Sequence, residues 1–218
     1  MPEASAPARV SAAATAYALT KDLILDGGLP GGSLISEGEI AARTGLSRTP
    51  VREAFLRLEA EGLMTLHPKR GAVIVPVAPG EAEDVLQLRR ALEVAAAERI
   101  AARGLSPEAG ERLDAAIRLQ RELAERGDVA GFAAADAAFH RGIVQAAGNE
   151  LALRFYRTLD DRQRRMSMTA LRPRPDRLPV LVEEHATLRG HLAAGEVAAF
   201  EAALRAHFVA THGSDGAR

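Results

Sequence analysis

The sequence predicts a mainly α-helical protein of two domains, and three observations lead to this prediction. The first third of the chain consists of short segments that glycine and proline turns separate. Some of these segments are rich in β-branched residues. After residue 80 strand signals vanish and alanine becomes abundant in long, apolar-periodic stretches. Hydrophobic residues make up 47% of the 218 residues, which is ample for a packed core. The predicted boundaries are a disordered tail at 1–10, a first domain at 11–77, a linker at 78–80, a helical domain at 81–212 and a tail at 213–218.

Two capped helices around a tight turn form the predicted centre of the first domain. Ser36 and Glu39 match a capping box, in which the two residues satisfy free N–H groups at the start of a helix. That helix breaks at Thr44-Gly45-Leu46, and Ser47 is expected to cap the next one, whose first turn tolerates Pro50. Two helices joined by a three-residue turn with a glycine are typical of a helix-turn-helix.

A β-hairpin is predicted directly after these helices. The apolar run 63–66 is followed by a turn that contains Pro68 and Gly71, and then by a β-branched run at 72–75. A hairpin in this position is a wing, so the first domain is predicted to be a winged helix-turn-helix. In that fold the second helix of the helix-turn-helix lies in the major groove of DNA.

A local basic surface accompanies the predicted recognition helix, although the net charge of the chain is only −1. The first turn of this helix is expected to present polar side chains outward, where they can reach base edges and phosphates. The basic wing turn could contact an adjacent groove or the backbone. The alternative is an exposed amphipathic helix with ordinary surface arginines. The predicted DNA-binding residues are Arg43, Ser47, Arg48, Thr49, Arg52, Lys69, Arg70 and Gly71.

The second domain is predicted to be an antiparallel helical bundle. Glycines and prolines separate its apolar-periodic segments, and the count of helices is six, or seven if one segment is broken. The six predicted segments are 81–103, 107–126, 129–147, 150–171, 178–195 and 196–211.

Four polar residues on inward faces of this bundle need partners. Asp136 and His140 are four residues apart on one apolar helix face, and His185 and His207 lie on the apolar stripes of two other helices. An unpaired buried polar group costs roughly 1–3 kcal/mol. A divalent metal would satisfy all four, because three imidazoles and a carboxylate suit zinc first, and also nickel, manganese or iron(II). The alternative is a set of hydrogen-bonded core histidines.

A string of residues in the first domain is similar to a known family signature. These residues are Leu34-Ile35-Ser36-Glu37, Ile40-Ala41, the run from Gly45 to Ala54, the run from Leu58 to Leu63, and Arg70-Gly71-Ala72. They resemble the GntR family of transcription regulators, which implies a homodimer on a double-stranded DNA operator with two-fold symmetry. The resemblance also implies that Arg48 and Arg52 contact DNA and that Gly71 lies at the wing tip. Gly38 departs from the family pattern, where a basic or polar residue often reaches DNA, so that contact should be missing here.

Residues in the helical half carry a second resemblance. They are Arg89, Leu92-Glu93, Asp136, Phe139-His140, Gly148-Asn149, Glu184-His185 and His207. They resemble the FCD effector domain of the FadR subgroup, which implies that Asp136, His140, His185 and His207 ligate a divalent metal. It also implies an effector that is often a small organic acid, such as a sugar acid or hydroxy acid. Six helices rather than seven would be typical of the VanR-type branch.

Arg89 and Asn149 are candidate effector-binding residues. A guanidinium grips a carboxylate with two parallel hydrogen bonds, so Arg89 could anchor an acid. The alternative is an ordinary helix ion pair between Arg89 and Glu93, four residues further on. Asn149 could also simply cap the helix that starts after Gly148.

The sequence therefore predicts a DNA-binding transcription regulator, a repressor as is usual in the resembling family, that is controlled by an effector. No separate nucleophile or general base accompanies the four metal-ligand candidates, so an enzyme is not predicted. A metal-dependent hydrolase or oxygenase is the rival from another class, and a regulator that senses the metal itself is a third interpretation. The chain lacks cysteine and any apolar run of membrane-spanning length, which fits a cytoplasmic protein with no membrane partner.

Overall fold

The computed structural model of the protein describes residues 11–78, 80–214 and 216. Within these residues the chain forms ten α-helices, one short 3-10 helix and three short strands, so the predicted mainly helical fold is confirmed. The chain divides between Val77 and Ala78 into two compact units. The tail predicted at 1–10 lies outside the described residues. None of the described helices has the length and apolar character that crossing a membrane requires.

The first unit has three α-helices and a three-stranded antiparallel sheet. Its elements are α1 (Ala12–Leu25), β1 (Leu34–Ile35), α2 (Glu37–Thr44), α3 (Arg48–Ala60), β2 (Met64–His67) and β3 (Gly71–Ile74). The strand order is β1-β3-β2, with Leu34 opposite Val73 and Met64 opposite Ile74. The hairpin β2–β3 follows the prediction, whereas β1 was not predicted, because two residues are too few to show an alternating pattern.

The caps of the helix-turn-helix follow from local sequence, with one exception. The Ser36 hydroxyl accepts a hydrogen bond from the Glu39 amide at 3.2 Å, and the Ser36 amide donates to Glu39 Oε2 at 2.8 Å. Gly45 ends α2 in the left-handed conformation with φ 68°. Ser47 occupies the N-cap position of α3 as predicted, but its side chain makes no capping hydrogen bond to the described residues. The residue is exposed, and the first N–H groups of α3 can bond to water instead.

Gly71 fixes the join between the wing and β1. Its φ is 102°, and a Cβ atom at this position would collide with the carbonyl oxygen of Ile35. Only glycine allows this close approach of two strands. The pairing of Ile35 with Ala72 therefore depends on Gly71, which lies at the base of the turn rather than at its most distant point.

The second unit is a bundle of seven α-helices. They are α4 (Glu81–Arg103), α5 (Pro107–Glu125), α6 (Val129–Ala146), α7 (Glu150–Arg157), α8 (Asp160–Leu171), α9 (Leu178–Ala194) and α10 (Val197–His212), with a 3-10 turn at Pro175–Arg177. The segment predicted at 150–171 is two helices. Tight hydrogen bonds from the Thr158 and Leu159 amides to Phe155 and Tyr156 end α7 without a glycine or proline. The alternative count of seven helices, with one segment broken, is therefore the correct one, and the argument for the VanR-type branch no longer holds.

The core of the bundle surrounds a set of buried polar residues. Large apolar side chains such as Phe132, Phe139, Leu188, Leu204 and Phe208 are fully buried. Among them lie buried polar and charged residues on α4, α5, α6, α8, α9 and α10. The tail predicted at 213–218 is described in part, and there Ser214 donates a hydrogen bond to Glu83 of α4 at 3.3 Å.

Candidate DNA-binding face and buried polar site

A groove of about 740 Å³ lies in the first unit between the start of α2, the first turns of α3 and the wing. Five of the predicted DNA-binding residues line it, namely Arg48, Arg52, Lys69, Arg70 and Gly71. The other three, Arg43, Ser47 and Thr49, are exposed and do not line the groove. The four cations in the groove are exposed to solvent, where a phosphate backbone can reach them.

Gly38 lies next to the guanidinium of Arg48. A Cβ atom at position 38 would be 3.7 Å from Arg48 Nη2, which is ordinary van der Waals contact. The Arg48 side chain therefore lies close to the first turn of α2. A longer side chain at position 38 would compete with it for the same side of the groove. The DNA contact expected to be missing at Gly38 stays a prediction.

Asp136, His140, His185 and His207 meet in the middle of the second unit. All four are buried, and one ligand atom from each lies within 4.8 Å of the others. Asp136 Oδ1 is 3.3 Å from His185 Nε2 and 3.7 Å from His140 Nε2. The four residues predicted from helix periodicity thus come together from α6, α9 and α10, and the cluster could hold a metal ion. We call this set the histidine cluster.

Each imidazole of the histidine cluster has a hydrogen-bond acceptor on another helix at its Nδ1 atom, which is the ring nitrogen away from the cluster centre. The Nδ1 atoms contact acceptor oxygens, namely His140 with Glu93 at 2.7 Å, His185 with Gln120 at 2.6 Å, and His207 with Glu184 at 2.7 Å. An acceptor at Nδ1 assigns the proton of a neutral ring to that nitrogen. The Nε2 lone pair is then free to face the centre of the cluster, which is the usual arrangement behind a metal-bound histidine.

The atoms that face the centre of the histidine cluster are suitable ligands for a metal ion. Oδ2 of Asp136 accepts hydrogen bonds from Gln163 at 3.2 Å and Ser167 at 3.0 Å, which leaves Oδ1 toward the histidines. The buried Nε2 atoms of His140 and His185 have no hydrogen-bond partner among the described residues. Leaving buried polar atoms unpaired is costly, and a divalent cation would pair both of them with the carboxylate.

The protonation states of the cluster also suit a metal. Burial lowers the pKa of His140, and it lowers the pKa of His207 to about 4, so both rings are neutral near pH 7. Burial alone would raise the pKa of Asp136, but the nearby His185 and His140 hold it well below its usual range. Neutral imidazole and ionised carboxylate are the forms that bind metals.

Arg89 is fully buried and uses only part of its hydrogen-bonding capacity. Its Nε donates to Glu93 Oε1 at 3.1 Å and to the Tyr156 hydroxyl at 3.2 Å, and its Cζ lies 4.5 Å from the ring centroid of Phe208. Nη1 and Nη2 have no partner among the described residues. The predicted ion pair between Arg89 and Glu93 is therefore present, and both terminal nitrogens of Arg89 remain available to bind an acid. Such an arrangement of two parallel N–H donors matches a carboxylate.

Glu93 joins Arg89 to the histidine cluster. Its Oε1 accepts from Arg89 and, at 2.7 Å, from Tyr156, while its Oε2 contacts His140. Burial alone would raise the pKa of Glu93, but His140 and Arg89 lower it to about 2. The sequence predicted the helix pair only. Tyr156 could have been suspected, because a tyrosine on an apolar face needs a hydrogen-bond partner for its hydroxyl.

Asn149 is a helix cap, as the alternative from the sequence had it, and His212 is partly buried. Asn149 is exposed, and its side chain accepts a hydrogen bond from the Ala152 amide at 3.1 Å, so it caps α7. An exposed capping residue does not belong to the buried site. His212 at the end of α10 is partly buried, and burial together with Arg89 lowers its pKa to about 3.

Replacing Glu93 by glutamine should weaken metal binding roughly 10- to 100-fold, the usual cost of losing a carboxylate behind a metal-bound histidine. The amide keeps the shape of the side chain but removes the charge that orients His140. Competition with a chelating dye would measure the affinity for zinc. Glu98→Gln, at an exposed position of the same helix, is the matched control and should bind zinc like the wild type. Equal affinity in Glu93→Gln would contradict this role of Glu93.

A winged helix-turn-helix with an exposed basic groove, followed by a helical unit with a buried polar site, defines a DNA-binding transcription regulator. The chain belongs to the gntR family of bacterial regulatory proteins, whose family model matches residues 12–74. The model of the FCD domain matches residues 84–210.

Proteins of similar sequence are transcription regulators as well. A probable D-xylose utilization operon transcriptional repressor of Paenarthrobacter nicotinovorans is 36% identical over 187 residues, which cover 86% of this chain and 81% of the relative. The repressor RspR of Escherichia coli K12 is 31% identical over 179 residues, covering 81% and 76%. A gluconate operon transcriptional repressor of Bacillus licheniformis is 26% identical over 136 residues, covering 62% and 55%.

Solved structures show the same fold. E. coli McbR/YncC superposes with a TM-score of 0.74 at 21% identity and covers 91% of this chain and 93% of its own. A GntR regulator from Rhodococcus sp. RHA1 gives a TM-score of 0.74 at 23% identity, with coverage of 92% and 95%. At such identities the likeness concerns the fold alone.

Proposed function

We propose that the protein is a repressor whose operator binding is controlled by a small organic acid, bound beside a divalent metal ion in the helical domain. The observation that carries this proposal is a set of buried polar groups that Glu93 links by hydrogen bonds. At one end stand the unpaired Nε2 atoms of His140 and His185, and at the other the two unpaired terminal nitrogens of Arg89. Glu93 bonds to both ends.

Asp136, His140, His185 and His207 would hold the metal ion. Three imidazoles and one carboxylate favour zinc, while nickel, manganese and iron(II) suit the same donors. A bound divalent ion would supply a positive charge that attracts one end of an acidic ligand. The relatives are transcription regulators, so we propose a binding role rather than catalysis.

Arg89 would anchor the acid. The side chain is held rigidly by Glu93 and Tyr156, so its free edge is oriented before the ligand arrives. Burial alone would lower the pKa of Arg89, but the neighbouring Tyr156 and the Glu93 carboxylate raise it, so the guanidinium stays charged. The name of one relative includes gluconate, a sugar acid, which supports a carboxylate effector.

The first unit would bind DNA as half of a homodimer in the cytoplasm. The proposed contacts are Arg43, Ser47, Arg48, Thr49, Arg52, Lys69, Arg70 and Gly71. Two heads related by a two-fold axis would contact two half-sites of a double-stranded operator. An acid can change DNA affinity only if it binds one arrangement of the dimer better than another.

Control by the metal itself is the second candidate. It is favoured by the histidine cluster, which offers four ligands without any organic partner. The two candidates separate cleanly in one experiment. If a chelator alone released the DNA and no acid altered binding by the metal-loaded protein, the metal would be the signal.

Arg89→Gln should abolish the response to acid while leaving DNA binding without acid intact, because Arg89 lies in the second unit and not in the DNA groove. The probe would be a fluorescent duplex selected from random DNA with the metal-loaded wild type. Its fluorescence anisotropy would be titrated in the presence of acetate, lactate, succinate and gluconate. Arg103→Gln, an exposed residue at the end of α4, is the control and should respond like the wild type. An unchanged response in Arg89→Gln would contradict the anchoring role.

A further inference from the structure

Thr211 lies near the end of α10, on the buried face of that helix, and is 4% exposed. Residues three and four positions apart share a helix face, so Thr211 lies one turn beyond His207 and Phe208. His207 is a member of the histidine cluster, and the ring centroid of Phe208 lies 4.5 Å from Cζ of Arg89. Thr211 therefore shares its helix face with residues that touch both the cluster and Arg89.

The hydroxyl of Thr211 is buried and has no hydrogen-bond partner among the described residues. A threonine in a helix can usually donate to the carbonyl oxygen four residues earlier. The acceptor that corresponds to Thr211 is the His207 carbonyl, and the hydroxyl does not use it. Four other threonines do make this bond: Thr20 with Ala16 at 2.7 Å, Thr44 with Ile40 at 2.8 Å, Thr169 with Arg165 at 2.9 Å and Thr187 with Glu183 at 2.9 Å.

The backbone of Thr211 is held in place by another part of the bundle. Nη2 of Arg174, which lies between α8 and the 3-10 turn, donates to the Thr211 carbonyl oxygen at 2.8 Å. A threonine side chain has one torsion angle that positions its hydroxyl, and branching at Cβ makes that torsion stiff. A hydroxyl on such a fixed residue loses little freedom when it binds a partner.

The unpaired groups of Arg89 and Thr211 differ in what they can recognise. The terminal nitrogens of Arg89 only donate hydrogen bonds, so they suit a carboxylate, which only accepts. A hydroxyl both donates and accepts, so it suits an alcohol, which does the same. A buried site that can bind an alcohol discriminates against the analogue without it, because its own polar group then stays unpaired.

We propose that Thr211 is a specificity-determining residue, which binds an alcohol group of the acid that Arg89 anchors. Acids with a suitably placed hydroxyl then bind more tightly than acids of the same carbon skeleton without one. This inference rests on the proposed function for the binding of an acid at Arg89. It does not rest on the effect of that acid on DNA binding.

Thr211→Val tests the proposal in the full chain, because valine keeps the branched shape and lacks only the hydroxyl. Isothermal titration calorimetry with zinc present would compare three pairs of acids: propionate with lactate, butyrate with 3-hydroxybutyrate, and hexanoate with gluconate. In the wild type the hydroxylated member of at least one pair should bind roughly 10-fold more tightly, as expected for a hydrogen bond with a buried polar group. In Thr211→Val the two members of that pair should bind with similar affinity.

Thr169→Val is the matched control, because Thr169 is exposed on α8 and its hydroxyl is paired within its own helix. It should keep the preference of the wild type. Without acid, Thr211→Val should melt at or above the temperature of the wild type, since it loses no internal hydrogen bond. Calorimetric melting would measure this and verify that the variant is folded.

Three results would overturn the proposal: equal affinity for both members of every pair in the wild type, the same preference in Thr211→Val, or no binding of any of the six acids. Failure of the proposed function looks different. If a hydroxylated acid bound with a preference that depends on Thr211 but left the DNA affinity unchanged, control by the acid would be refuted and the role of Thr211 would stand.

Discussion

Replacing Arg52 by alanine is expected to abolish operator binding while the fold stays intact. Arg52 is exposed on α3, lines the groove and forms no ion pair with another described residue, so its removal disturbs no packing. A good contact between an arginine and a base is worth about 1–3 kcal/mol. A two-fold operator loses that contact twice, so affinity should fall roughly 100-fold or more.

Fluorescence anisotropy with the selected duplex would measure this loss. Arg103→Ala removes an equally charged, exposed side chain from α4 and should bind DNA like the wild type. Circular dichroism of Arg52→Ala should match the wild type. Unchanged DNA affinity in Arg52→Ala would show that α3 is not the recognition helix.

Zinc should raise the melting temperature of the wild type substantially and leave that of His140→Ala, His185→Ala unchanged. A ligand that binds the folded state alone stabilises it by about 4 kcal/mol at a thousand times its dissociation constant. For a protein of this size, that corresponds to a rise of roughly 10 °C. The double variant removes two ligands whose Nε2 atoms face the centre of the cluster, so it has no comparable site for the ion.

Differential scanning calorimetry of chelator-treated protein, with and without added zinc, would measure both shifts. His191→Ala is the matched control, because this partly buried histidine pairs with Glu196 at 2.8 Å and is not part of the cluster. It should keep the zinc-dependent rise. An equal rise in the double cluster variant would place zinc elsewhere on the chain.

The first unit could be predicted well because its signals are local. Ser36 with Glu39 and Gly45 act on their own helix ends, and the hairpin follows from short-range turn chemistry. Strand β1 was not predicted because its two residues are defined as a strand only by their pairing with β3. The reason for Gly71 likewise lies in a contact with Ile35, which no spacing in the sequence reveals.

The second unit shows where helix patterns stop being informative. Its helix boundaries were predicted from glycines and prolines, so the break between α7 and α8, which rests on hydrogen bonds at Thr158 and Leu159, was missed. Helix periodicity correctly predicted that the four members of the histidine cluster lie on inward faces of their helices. It could not pair them with Gln120 or Glu184, because those residues act on histidines of other helices.

Elemental analysis tests most directly whether the histidine cluster binds a metal ion. The wild type and His140→Ala, His185→Ala would be purified without chelators, loaded with zinc and dialysed side by side. We predict about one metal ion per chain in the wild type, as four protein ligands support one zinc, and none in the variant. Equal metal content in the two proteins, or none in either after loading, would contradict the account.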